Sequence, residues 1–171
     1  MAREGIQNIY CWKVRIQGLT VYLGSTDNGA CRIGLSLEKG DDCRVFFRKH
    51  YPQKNLTVDR ERNRSLETAV KEVLLSKSVP SEDIALDICG TPFQINVWQA
   101  ITHIPFGSTR AYGEVARMVG RPRAARAVGQ ALGKNPLPLI FPCHRVVGVQ
   151  GLGGFTSGLK VKEYLLEWEK R

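Results

Sequence analysis

The apolar positions of the first ninety residues change period twice. Tyr10 to Gln17 and Leu19 to Ser25 are rich in Val, Ile and Tyr and meet at Gly18. This spacing predicts two strands joined by a hairpin, with Cys31 to Leu37 as a third strand. Asp41-Asp42 then offers a cap to a helix through Val45, Phe46 and Phe47, and Pro52 lies just past its end. From Ser65 to Lys77 the apolar residues fall at Leu66, Ala69, Val70, Val73 and Leu74, the i, i+3, i+4, i+7, i+8 series of a helix buried along one face. A short strand over Ile84 to Ile88 completes the segment. Residues 1–90 hold no catalytic constellation and read as an α/β support domain.

Beyond Cys89 the pattern becomes helical, which predicts a second domain over 91–171. Thr91-Pro92-Phe93-Gln94 combines a threonine cap, proline at the first helical position and glutamine three residues after the cap, a helix start whose inner stripe is Phe93, Val97, Trp98 and Ile101. After a turn at Ile104-Pro105-Phe106-Gly107-Ser108 come two short helices. Ala111 to Val119 stops at Gly120, and Arg123 to Leu132 stops at Gly133. Joined through Gly120-Arg121-Pro122, they form a helix-turn-helix candidate, an arrangement that also occurs in proteins that never touch DNA. The second helix carries two arginines among small residues, so its backbone can approach another surface closely. Five glycines between Gly148 and Gly158 exclude a regular element there. A closing helix over Lys160 to Lys170 aligns Val161, Tyr164, Leu165 and Trp168, with Glu169 at the edge of that face; helical phase alone favours a solvated Glu169.

Composition narrows the class. With 171 residues, 43% hydrophobic and 24% charged, the chain has the make-up of a soluble globular protein with a real core. No run approaches the roughly 18 apolar residues of a membrane span. Met1-Ala2-Arg3-Glu4-Gly5 lacks the apolar core of a signal peptide. A cytoplasmic location is expected, nuclear in a eukaryotic cell, with no membrane partner. Five cysteines, an odd number without a C-x-x-C pair or Cys/His cluster, indicate neither a disulfide scaffold nor a zinc site.

Charge is uneven along the chain. Residues 1–90 carry 14 Lys/Arg against 12 Asp/Glu, whereas residues 91–171 carry 11 against 4. Such a basic second half points to a polyanion partner, nucleic acid first.

Chemistry concentrates at Pro142-Cys143-His144-Arg145-Val146-Val147, between the apolar run Leu137 to Phe141 and the glycine-rich loop. A thiol beside a base can become a thiolate, the nucleophilic form of cysteine. Cys143 is therefore the candidate nucleophile, against the alternative of a small buried hydrophobe.

This hexapeptide is preceded by Asn135-Pro136 and by Arg123-Ala124-Ala125-Arg126-Ala127-Val128-Gly129, and followed by Gly153-Gly154-Phe155-Thr156-Ser157-Gly158. Together the stretches resemble the O6-alkylguanine-DNA alkyltransferases, also called methylated-DNA–protein-cysteine methyltransferases. The likeness runs over residues 92 to 169; residues 1–90 match in length and coarse layout. It implies an RNase-H-like N-terminal domain, a small antiparallel sheet with helices, and a mostly α C-terminal domain with a helix-turn-helix. It further implies direct-reversal repair, in which the alkyl group on O6 of guanine passes once and irreversibly to Cys143, without metal or cofactor.

The resemblance also implies roles for individual residues. His144 accepts the thiol proton through a water, Glu169 points inward and orients the imidazole, Asn135 braces the site, and Tyr112 donates toward N3 of the leaving guanine. Val146, Phe155, Thr156, Ser157 and Lys162 form the base pocket. Arg126 fills the place of the flipped base, while Arg123, Ala125, Ala127, Gly129 and Arg110 meet DNA in the minor groove with little sequence preference. The partner is duplex DNA containing O6-alkylguanine, met by a monomer. Phe155 departs from the tyrosine usual in the family, so the apolar pocket wall remains and the hydroxyl does not. Two other classes compete: a lesion-binding protein without transfer, disfavoured because Cys143 is retained, and a thiol hydrolase, which leaves the basic helix pair unexplained.

Overall fold

The computed structural model describes residues 8–171 and divides into two units, the first ending at Ile88 and the second running from Cys89 to Arg171. The N-terminal Met1-Ala2-Arg3-Glu4-Gly5 segment read for a targeting signal lies outside the described residues. Among those described, no helix is long and apolar enough to cross a membrane.

In the first unit β1 (Asn8–Ile16) and β2 (Leu19–Thr26) form the predicted hairpin. Its two turn residues, Gln17 and Gly18, both sit at positive φ, 48° and 83°. That left-handed pair matches the twist of the flanking strands and favours glycine. β3 (Gly29–Ser36) adds an antiparallel neighbour to β2. α1 (Cys43–His50) starts where Asp42 accepts the Arg44 N–H and buries Phe47 completely. α2 (Arg64–Lys71) and a π-helical turn over Glu72–Ser76 bury all five residues of the predicted apolar series.

The sheet differs from the expected antiparallel one. Its order is β3-β2-β1-β4, and β4 (Asn55–Val58) runs parallel to β1, making the sheet mixed. β4 is four residues long with only Leu56 buried, too short and too polar to stand out by period. The expected strand over Ile84 to Ile88 reduces to one isolated parallel bridge, Ala30 to Leu86. Leu86 is exposed and Asp87 is the buried residue, so the segment lacks an apolar face to bury.

The second unit is mostly helical. α3 (Pro92–Ile101) opens with a complete capping box: Thr91 Oγ1 accepts the Gln94 N–H, and Gln94 Oε1 accepts the Thr91 N–H. Satisfying two orphan N–H groups this way stabilises a helix end by about 1 kcal/mol. Val97, Trp98 and Ile101 are fully buried, and the Trp98 indole N–H donates to the Ala131 carbonyl at 2.9 Å. That bond lets a large aromatic side chain sit at the centre of the core without an unpaired donor. α4 (Tyr112–Met118) and α5 (Ala125–Gly133) pack against each other and on α3. α5 begins two residues later than its apolar pattern suggested and turns Val128, Ala131 and Leu132 inward. β5 (Arg110–Ala111) pairs in parallel with β6 (Val146–Val147), and α6 (Leu159–Lys170) closes the chain.

Candidate active site

The segment between α5 and β6 is built from prolines 136, 138 and 142 and buried apolar residues, so its backbone groups need side-chain partners. Asn135 supplies them. Its Nδ2 donates to the Phe141 carbonyl at 2.8 Å and to Cys143 Sγ at 3.0 Å, while its Oδ1 accepts the Leu137 N–H at 3.0 Å. Within this loop Leu139 holds φ at 79°, a left-handed backbone costing a non-glycine residue about 1–2 kcal/mol. Burial of the side chain and the Phe141 N–H bond to the Leu137 carbonyl hold it there. Cys143–Arg145 then form one 3-10 turn, with the Cys143 N–H on the Phe141 carbonyl at 2.7 Å. Because β6 follows directly and pairs with β5, Tyr112 at the start of α4 is brought to the same place.

Cys143 lies on a cavity of about 820 Å³. Its other walls are Tyr112 and Gly113 from α4, Ala125, Arg126, Gly129, Gln130, Leu132 and Gly133 from α5, and Val149, Gly154, Phe155 and Thr156 from the glycine-rich loop. The Thr156 hydroxyl donates to the Gly133 carbonyl at 3.1 Å, tying that loop to the end of α5.

His144 is 1% exposed and directs its ring onto Glu169 of α6, with Nε2 2.7 Å from Oε1. Glu169 is buried too. It accepts the Gly107 N–H at 2.9 Å and a fork of bonds from Arg145, whose Nη2 lies 2.8 Å from Oε1 and whose Nε lies 3.1 Å from Oε2. Arg145 itself is 3% exposed, donates to the Ile104 carbonyl at 2.7 Å, and stacks 4.0 Å from the Phe106 ring centroid. Nδ1 of His144 is buried and has no hydrogen-bond partner among the described residues.

These contacts set the protonation states. Burial would raise the Glu169 carboxyl, but the hydrogen bonds from His144 and Arg145 outweigh it and hold the group at about 2. Glu169 is therefore an anion, and the short contact makes His144 Nε2 its donor. Burial lowers the imidazole, against the opposing pull of Glu169, so the ring is neutral near pH 7. A neutral ring protonated at Nε2 leaves the Nδ1 lone pair free. Burial pushes the Cys143 thiol up to about 11, although the Asn135 bond and the Lys162 charge favour the thiolate. At rest the thiol keeps its proton, so any nucleophilic role needs a base during the reaction.

The sequence-predicted residues thus divide into groups. Cys143, Tyr112, Ala125, Arg126, Gly129, Phe155 and Thr156 share one cavity, Asn135 bonds the thiol, and His144 and Glu169 form a buried pair beside it. Ala127 faces a separate groove with Thr91 and Phe93. Arg123 and Arg110 are exposed, the latter 3.9 Å from Glu114. Val146, Ser157 and Lys162 do not line the cavity. Lys162 is fully buried, with its amine on the carbonyls of Val146, Leu152 and Gly154. Arg145 had no role from the sequence. Its position beside His144 in the hexapeptide was the available signal, but its partner Glu169 lies 24 residues away.

Three kinds of likeness to known proteins bear on this geometry. Residues 92–171 match the model of the 6-O-methylguanine DNA methyltransferase DNA-binding domain. A methylated-DNA–protein-cysteine methyltransferase of Mycobacterium leprae is 58% identical over 88 residues, 51% of this chain and 53% of that protein. One from Methanosarcina acetivorans is 47% identical over 111 residues, 64% of this chain and 68% of that protein. The matched stretch thus spans about half the length of the mycobacterial relative. The crystal structure of Mycobacterium tuberculosis O6-methylguanine methyltransferase superposes with a TM-score of 0.74 at 34% identity, covering 95% of this chain and 93% of that one. A structure of the M. tuberculosis protein in complex with DNA gives 0.71 at 34% identity, covering 95% and 92%. With a relative 47% identical over two thirds of its length and a fold shared along nearly the whole chain, this protein belongs to the methylated-DNA–protein-cysteine methyltransferase family.

Proposed function

We propose that this protein repairs DNA by direct reversal, transferring the alkyl group of O6-alkylguanine irreversibly to Cys143. The observation that carries the reading is the set of groups at and beside the cavity: a thiol held by Asn135, a buried imidazole whose Nδ1 has no partner among the described residues, and a carboxylate bonded to its other nitrogen. The cavity is walled largely by apolar and small residues, as a flat base and its alkyl group require.

In the proposed reaction Cys143 Sγ attacks the alkyl carbon, the carbon–O6 bond breaks, and its electron pair stays with the guanine. The thiol proton passes to His144 Nδ1, through a bridging water since no direct bond joins ring and thiol, and Glu169 stabilises the resulting imidazolium. Tyr112, which lines the same cavity, supplies a proton or hydrogen bond to N3 of the departing base. Net, a thiol and an alkylguanine become a thioether and guanine. The thioether has no ready leaving route, so each molecule acts once, and no step calls on a metal or methyl-donor cofactor.

An atom inside a duplex is out of reach, so the base is extruded into the cavity, which takes a few kcal/mol. Exposed Arg126, at the cavity rim on α5, enters the vacated place, and the small residues Ala125, Ala127 and Gly129 let that helix approach the minor groove. α4 and α5 act as a helix-turn-helix, with Arg110 and Arg123 near the phosphates and little sequence preference. The backbone of Val146 and of the loop near Thr156 and Ser157 reads the base edge. The first unit serves as an RNase-H-like support, and the protein acts as a monomer. DNA carrying labelled O6-methylguanine tests the reading: label moves to the protein, stoichiometrically and once. Repeated turnover, or tight binding with no label moved, would reject it.

A further inference from the structure

A lysine is an expensive residue to bury, because the charge loses its hydration. Lys162 on α6 is 0% exposed, and burial lowers its amine to about 8. The ammonium has three donors, and each finds a carbonyl: Val146 at 2.6 Å, Leu152 at 2.5 Å and Gly154 at 3.1 Å. A methionine or leucine would fill the volume without a desolvation penalty, so beyond its charge acting on the Cys143 thiol the lysine matters for what those carbonyls belong to. One is on β6, directly after the Cys143–Arg145 turn. The other two flank Gly153.

Gly153 is the point where the loop touches Tyr112. Its φ is 69°, and a Cβ there would collide with the Tyr112 hydroxyl and stand 2.8 Å from Cε2. Tyr112 is held besides by Gly129 of α5, against which its ring packs, and by β5, whose Ala111 pairs with Val147 of β6. Two of the supports of the phenol, the loop at 152–154 and the β5–β6 ladder, therefore converge on a single nitrogen.

We propose that Lys162 is a positioning residue for Tyr112, pinning the glycine-rich loop to β6 so that the phenol stands where the departing base needs its proton. The proposal rests on the reading of Tyr112 as the group that assists guanine departure. It moves Lys162 from the base pocket to the scaffold beneath it. The role falls on the transfer step, not on DNA affinity, because Lys162 touches neither the cavity nor the surface.

The test is a double-substitution cycle on the full chain. Single-turnover transfer from O6-methylguanine duplex is followed against protein concentration, separating the maximal rate from apparent DNA affinity. Lys162→Met is expected to lower the maximal rate by about 10- to 100-fold, the range for a misplaced catalytic group, with affinity unchanged. Combined with Tyr112→Phe it should lower the rate by no more than about twofold beyond Tyr112→Phe alone, since coupled sites are non-additive. Gly153→Ala, which drives a methyl into the phenol, should reproduce both results and replaces Lys162→Met if that variant melts below the assay temperature.

Equal losses with and without the Tyr112 hydroxyl would overturn the proposal and leave the Tyr112 reading intact. A Tyr112→Phe variant as fast as the parent would overturn that reading and this proposal with it. Absence of transfer by the unsubstituted protein would instead refute the proposed activity.

Discussion

Cys11 and Cys43 in the first unit and Cys143 in the second are all buried free thiols, yet their neighbours differ in kind. Cys43 Sγ lies 3.3 Å from Cys11 Sγ in a cluster of Ile9, Tyr22, Cys31, Phe47 and Leu56. The Cys11 thiol is raised first by its bond to Cys43 and then by burial, and the group beside Cys43 is the Asp42 carboxylate, not an imidazole. Cys143 is also buried and is itself pushed up to about 11 by burial. What sets it apart is an amide on its sulfur, a buried imidazole next in sequence and a large cavity in front. Burial makes a thiol inert; a base with a free lone pair and room for a substrate make the same thiol usable.

Substitution of the thiols separates the two environments most widely. Cys143→Ala should abolish alkyl transfer to the assay floor. Cys43→Ala should leave the transfer rate within about twofold and instead lower unfolding free energy by about 1–2 kcal/mol, the range for a small core truncation. Denaturant unfolding and label transfer, run on the same samples, read both effects.

The next largest effect concerns the base. Glu169→Gln removes the anion that fixes the His144 tautomer and leaves Arg145 buried beside a neutral amide. Transfer should slow by about 10²- to 10³-fold, the scale of a lost general base, while the cavity and DNA affinity persist. Arg126→Ala should act only where a base must be extruded. About a tenfold or larger loss is expected on duplex substrate, with transfer from the free alkylated base nearly unchanged. Equal loss on both substrates would remove the finger role.

Acid is the mildest probe. Glu169 is held at about 2 in the folded protein, below an unfolded value near 4.3. Its contribution is present above the unfolded value and lost as pH falls toward 2. His144, lowered by burial, acts with the same sign, since the unfolded chain takes up its proton first as pH falls below about 6.5. Stability should therefore decline on acidification through both ranges. Glu169→Gln should flatten the lower limb in urea titrations across pH; an unchanged limb would contradict the ionised, buried carboxylate.

What could be read from the sequence follows from the range of the interactions. The hairpin at Gly18, the cap at Asp42 and the box at Thr91 are local bonds between residues two or three apart, and their residue types announce them. The Cys143–His144 adjacency is local as well. β4 escaped because a four-residue edge strand with one buried side chain has no period to detect, and its parallel partner lies more than forty residues earlier. Arg145 and Lys162 escaped for a different reason. Each is a basic residue in a basic half of the chain, and only tertiary packing turns the one onto Glu169 and the other onto three carbonyls. The inward position of Glu169 ran against its helical phase; the cations and N–H donor around it outweigh the preference of a terminal glutamate for water.

The contrast between the thiol sites meets its most direct test in intact-protein mass, followed by peptide mapping, before and after exposure to O6-methylguanine duplex. A gain of one methylene equivalent per molecule is expected, confined to the peptide carrying Cys143, with Cys11, Cys31, Cys43 and Cys89 unmodified. An unchanged mass, or a methyl group on any of the other thiols, would contradict it.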